Sequence, residues 1–182
     1  RFETLIAQAA AMRERARACY EAACTKAGRV PEQLAGPAAC DPGQADDLAF
    51  AHLLADAADA IALRHFTADD TAWRTKGDGS PVSAADEQIE IALRALIQRE
   101  RPADAVLGEE FGASGAGHRR WIIDAIDGTA SFLAREPEFS SLIALEESGA
   151  ISLGLVTAPA LQRRWWAGRT TGAWTRTTAN TP

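Results

Sequence analysis

Apolar positions change period along this chain. Phe2, Leu5, Ile6, Ala9, Met12, Ala16 and Cys19 recur at three- and four-residue steps, which predicts an amphipathic helix over residues 2–27. The pattern breaks between Gly28 and Gln44, where Pro31, Gly36, Pro37, Pro42 and Gly43 mark a connector. A second helix is predicted from about Asp46 to Phe66, with Phe50, Leu53, Leu54, Ala57 and Ile61 as its apolar face. Asp78, Gly79 and Pro81 read as a turn. Ser83 is then a plausible N-cap for a third helix, whose buried stripe is Ile89, Leu93, Leu96 and Ile97. Beyond it the period shortens. β-like runs appear at Ala105–Leu107, Trp121–Asp124, Ser141–Leu145, Ile151–Thr157, Arg164–Ala167 and Gly172–Thr175. Short turns between the later runs predict antiparallel pairing. Helices first and a meander second make the class α+β, with the helices packed on an antiparallel sheet. The expected division is a helical extension and linker at residues 1–45 and a main lobe at 46–182.

Composition narrows the picture. The chain has 182 residues, 47% hydrophobic and 24% charged, in the range of ordinary globular proteins. A formal net charge of −6 argues against nucleic-acid or anionic-membrane partners, which want basic surfaces. No apolar run is long enough to span a bilayer. Cys19, Cys24 and Cys40 lack ligand spacing and are expected to be reduced thiols, which fits a cytoplasmic protein. His52, His65 and His118 are scattered, without zinc spacing.

Three acidic clusters carry candidate chemistry. Asp86, three residues after Ser83, suits a capping box as well as a ligand role. Glu109 and Glu110 in GEEFG, just after the apolar run AVL, read as a solvated loop or as ligands. The third cluster is DAIDGT. Asp124 and Asp127 lie close together with no Lys or Arg between them, and two crowded carboxylates are costly unless a cation neutralises them. The turn offers hard oxygen ligands suited to Mg²⁺. Gly128 and Thr129 open a helix start whose amides favour phosphate.

The motifs KGDGSPVSAAD, AVLGEEFG, RRWIIDAIDGT, SLIALEESGAISLGLVTAPALQRRWWAG and GAW, in this order, resemble the inositol-monophosphatase-like family of metal-dependent phosphatases. The likeness is greatest to its histidinol-phosphate phosphatases, and it covers about Asp46 to Trp174. It implies Mg²⁺, or Mn²⁺, held by Glu109, Asp124, the Ile126 carbonyl and Asp127. It also implies phosphate on the amides of Gly128 and Thr129. Asp86, Thr129 and Glu109 would be the catalytic set, with Thr129 and Asp86 orienting a water for in-line attack at phosphorus. Glu110 and Lys76 would support them. The implied ligand is a small phosphorylated metabolite, histidinol phosphate first.

Three departures qualify the resemblance. The family places a proline where this chain has Ala125, a loss of about 1 kcal/mol of preorganisation. A glycine is usual at the position of Arg135, so the backbone there is expected to differ. The family continues into a second α/β lobe that supplies another aspartate ligand, and this sequence ends at Pro182. A short second metal site makes low turnover, or a binding module without turnover, the alternative reading. A homo-oligomer or a partner chain is expected to cover the surface that the second lobe would bury.

Overall fold

The computed structural model describes residues 42–68, 72–75, 77, 81–169 and 172–178. The helix expected over residues 2–27, the three cysteines and Lys76 lie outside the described residues.

Helix α1 spans Pro42–Thr67. It therefore starts four residues before the expected Asp46, inside the stretch read as connector. Proline is tolerated in a first helical turn, where its missing N–H has no intrahelical partner to lose. Its buried face is Phe50, Leu54, Ala58 and Ala62. Leu53 does not belong to it, being 45% exposed. The spacing of four selects one stripe, and Leu53 lies about 100° around the helix from Leu54. Alanines on the stripe let the helix lie close to the sheet.

Strands β1 (Trp73–Thr75) and β2 (Pro81–Ser83) form a small antiparallel hairpin that the sequence pattern did not announce. Helix α2 (Ala84–Glu100) follows directly, capped by Ser83 and buried along Ile89, Leu93 and Ile97.

The main sheet contains β3 (Ala105–Gly108), β4 (Gly112–Ser114), β5 (Arg119–Asp127), β6 (Ser140–Glu147), β7 (Ala150–Ala158), β8 (Arg163–Gly168) and β9 (Gly172–Thr177). Its order is β4-β3-β5-β6-β7-β8-β9. The meander from β6 to β9 is antiparallel, as the short turns predicted, and β5 pairs antiparallel with β6 as well. Strand β3 pairs with β5 in parallel, which the run lengths did not reveal.

Helices α1 and α2 share one core with this sheet. Phe50, Leu54, Ile89 and Leu93 pack among Trp121, Ile123, Ile143, Leu145, Leu153 and Leu155. Trp121 sits edge-on to Phe50, with ring centroids 5.2 Å apart, and its indole N–H donates to Asp104 Oδ2 at 2.9 Å. Burying such a ring stabilises by a few kcal/mol only if the N–H keeps a partner. A polar tie joins α1 to β7 and β8. The buried Arg164 donates to Asp59 Oδ2 at 2.6 Å and to Thr157 Oγ1 at 3.3 Å, and also lies against His52.

Candidate metal and phosphate site

The site forms where β5 ends. Strand β5 and β6 lose register between the pairs Asp124↔Leu142 and Asp127↔Ser140. Three steps on β5 are matched by two on β6, which is a β-bulge. In a regular strand, residues three apart point to opposite faces, so Asp124 and Asp127 would be separated by the sheet. The extra residue shifts the alternation and re-aims one side chain. Their charges then act on each other. Burial first, and then the charges of Glu109, Asp127 and Asp86, hold the Asp124 carboxyl well above the usual carboxylate range.

Asp124 is 5% exposed, and its Oδ1 has no hydrogen-bond partner. Its carboxyl is also within hydrogen-bonding reach of Glu109. Two carboxylates in contact, one carrying an orphaned oxygen, demand either a proton or a cation between them.

Ala125 and Ile126 are buried within the bulge. The Ser141 hydroxyl donates to the Ala125 carbonyl at 2.6 Å and pins the backbone at the position where the family has proline. Gly128 follows with φ 90°, a left-handed conformation that strains any other residue but Asn or Asp. A Cβ there would also stand 3.0 Å from the Glu138 carbonyl. The turn then enters the short helix α3 (Thr129–Leu133).

Thr129 has one hydroxyl proton and two acceptors. Ile126 O lies at 3.0 Å and Asp86 Oδ1 at 3.4 Å. The other oxygen of Asp86, Oδ2, accepts from the Ser83 amide at 2.8 Å and the Ser83 hydroxyl at 2.7 Å. Asp86 thus completes the capping box and reaches Thr129 as well.

Glu109 follows β3 in an exposed turn, with Glu110 half-buried beside it. The turn is braced from below. Glu90 Oε2 accepts from the Glu110 amide at 2.7 Å, and Oε1 from the Phe111 amide at 3.2 Å. Sequence reasoning missed Glu90. A usable signal was present: positions 86, 90, 93 and 97 share one helical stripe, so Glu90 had to be buried and partnered.

Asp86, Glu109, Asp124 and Asp127 are therefore brought to one place, next to the Gly128–Thr129 turn. Among the described residues, no three Asp, Glu, His or Cys side chains are already closed on a point that a cation would take. The donor set nevertheless fits a hard divalent ion. It consists of carboxylates and a carbonyl, it is crowded with like charge, and it holds one buried oxygen with nothing bound to it. A cleft of about 370 Å³ adjoins it, lined by Asp127, Gly128, Phe139, Leu161 and Trp165 among others.

Arg135, in the loop after α3, has φ 62°. It keeps the left-handed conformation that glycine adopts, so the expected departure lies in the side chain. The guanidinium donates to the carbonyls of His65 (2.8 Å), Phe66 and Ala68 and closes the C-terminal end of α1.

Comparison with known proteins gives the family and the fold. A family model described as the inositol monophosphatase family matches residues 44–181. The histidinol-phosphatase of Streptomyces coelicolor is 50% identical over 138 residues, which make up 74% of this chain and 52% of that protein. The histidinol-phosphatase of Mycobacterium tuberculosis is 51% identical over 129 residues, 70% of this chain and 50% of that one. Among solved structures, an inositol monophosphatase from Zymomonas mobilis superposes with a TM-score of 0.63 at 36% identity, covering 75% of this chain and 53% of that one. The chain thus spans about half the length of the relatives it matches.

Proposed function

The chain belongs to the inositol monophosphatase family, and from that premise we propose that it carries the metal- and phosphate-binding half of a phosphomonoesterase. Its substrate is a small phosphate monoester. Histidinol phosphate is the first to try, because two relatives at 50% and 51% identity bear that activity in their names. The observation that carries the proposal is the buried Asp124, with one oxygen unpartnered, against Glu109 and beside a turn whose hydroxyl reaches Asp86.

Glu109, Asp124 and the Ile126 carbonyl would hold one Mg²⁺ (or Mn²⁺), and Asp124 with Asp127 would offer oxygens to another. When bound, the metal supplies positive charge that acidifies water and offsets the charge of the phosphate. The other roles fall to the chain itself. The amides at Gly128 and Thr129 open α3 and would donate to phosphate oxygens. The Thr129 hydroxyl, turned by Asp86, accepts a hydrogen bond from the attacking water and so directs its lone pair at phosphorus. A new P–O bond forms, the ester P–O bond breaks, the water's proton passes to Asp86 through Thr129, and the departing alkoxide takes a proton from a solvent water and leaves as the alcohol. The cleft lined by Phe139, Leu161 and Trp165 has room for the alcohol part of a small monoester.

One observation favours a second reading, binding without turnover. Among the described residues, the second ion is offered Asp124 and Asp127 alone. A partner chain or a second copy of this one would then complete the site. Among the described residues no helix is long and apolar enough to cross a membrane. The test is phosphate release from histidinol phosphate and a panel of other monoesters, with Mg²⁺ or Mn²⁺. Release that Glu109→Gln abolishes supports the proposal. Metal binding without release selects the second reading, and neither binding nor release sinks both.

A further inference from the structure

We propose that Glu90 is a positioning residue that presents Glu109 to the metal. The inference rests on the metal-site reading above and goes beyond it, because Glu90 touches no ion, substrate or reacting atom.

Glu90 is fully buried in the middle of α2. A carboxylate out of reach of water must be paired and hydrogen-bonded, or it would take up a proton. Both of its oxygens are engaged by the loop that carries Glu109. Oε2 receives the amide of Glu110 and Oε1 the amide of Phe111. Arg94, one turn further along α2, donates its Nε to Oε1 at 2.8 Å. The Arg94 guanidinium then continues to the Gly112 carbonyl and, at 2.7 Å, to the Ser114 hydroxyl. Residues 110, 111, 112 and 114 are all fastened to this one pair.

Gly108 completes the fit. A Cβ there would stand 1.8 Å from Glu90 Oε1, inside the carboxylate itself. The strand end must lack a side chain so that Glu90 can lie under the loop. Glu109 is the residue between this glycine and the first anchored amide.

The same helix face serves the other half of the site. Asp86, one turn before Glu90, reaches Thr129. Adjacent turns of α2 therefore set the register of the Glu109 loop and of the Thr129 hydroxyl. Neutral Gln at position 90 cannot do this: its amide group would confront an N–H donor at one of the two oxygens.

Mg²⁺ and Mn²⁺ affinity is measured by calorimetry on the 182-residue chain, at a temperature where every variant is folded. Amide exchange at Glu110 and Phe111 is followed without metal. Substitutions behind a metal ligand typically weaken binding by about 10–100-fold. We expect Glu90→Gln to weaken metal binding within that range and to speed exchange at both amides. Turnover at saturating metal should be largely restored. Glu87→Gln, at a half-buried position of α2 paired with Arg74 and away from the Glu109 loop, should bind metal as the parent does. Glu90→Asp keeps the charge and the Arg94 pair but withdraws the carboxylate by one methylene; it should show a smaller loss and serves if Glu90→Gln does not fold. A folded Glu90→Gln or Glu90→Asp with parental metal affinity overturns the proposal. If the parent chain itself binds neither ion, the metal-site reading fails first and visibly.

Discussion

Asp86 and Thr129, 43 residues apart in sequence, meet with the Thr129 hydroxyl 3.4 Å from Asp86 Oδ1. The other oxygen of the same carboxylate caps α2 through Ser83. One side chain thus ties a helix start to the turn that would face phosphate, and stability and chemistry can be separated by choosing which side to cut.

Thr129→Ala should leave thermal stability nearly unchanged and lower turnover about 100-fold, as expected for loss of a group that orients the attacking water. Ser83→Ala should do the reverse, costing about 1 kcal/mol of stability with turnover largely kept. Parallel melts and phosphate-release assays check both. Equal losses of turnover would count against the division of labour.

Asp124 is stabilised in its charged form only if something answers its charge. Metal-free Asp124→Asn should be at least as stable as the parent, because a buried repulsion is removed. Adding Mg²⁺ at about 100 times its Kd should stabilise the parent by about 2.7 kcal/mol, roughly 5–10 °C in Tm. The asparagine variant should not respond. Differential scanning calorimetry with and without metal reads this directly.

Ser141→Ala removes the hydrogen bond to the Ala125 carbonyl and leaves a buried acceptor unpaired. A loss of about 1–3 kcal/mol is expected. Chemical denaturation of the metal-free chain measures it, and a neutral result would show that the bulge holds its shape without that hydroxyl.

His52 gives a pH signature remote from the site. Burial, with the charges of Arg176 and Arg164, pushes its pKa down from 6.5 to about 4. The unfolded chain therefore binds more protons than the folded one between these values, and stability is lost as the pH falls from about 6.5 toward 4. His52→Gln should flatten that part of the profile, measured as Tm against pH. An unchanged slope would show that other groups set it.

Arg135 holds φ 62° while capping α1. Arg135→Ala loses the cap and keeps the left-handed strain, whereas Arg135→Gly loses the cap and the strain together. The glycine variant should be the more stable of the two by about 1 kcal/mol, which equilibrium unfolding can resolve.

Much of this was legible in the order of residues. Local rules act over a few neighbours, so the α2 stripe, the Ser83–Asp86 cap and the antiparallel meander could be read from spacing alone. So could the conflict in DAIDGT, since like charges three residues apart repel whatever the fold. Other features depend on contacts between distant segments. Leu53 looked like core until the sheet chose which stripe of α1 to cover. Whether Asp124 and Asp127 share a face was decided by the bulge against β6, because strand alternation alone would part them. The stripe of α2 required a partner for Glu90, and only the fold showed that the Glu109 loop supplies it. Sequence determined which groups need partners, and tertiary structure decided which partners they meet. Meeting depends on the register between segments that are far apart along the chain.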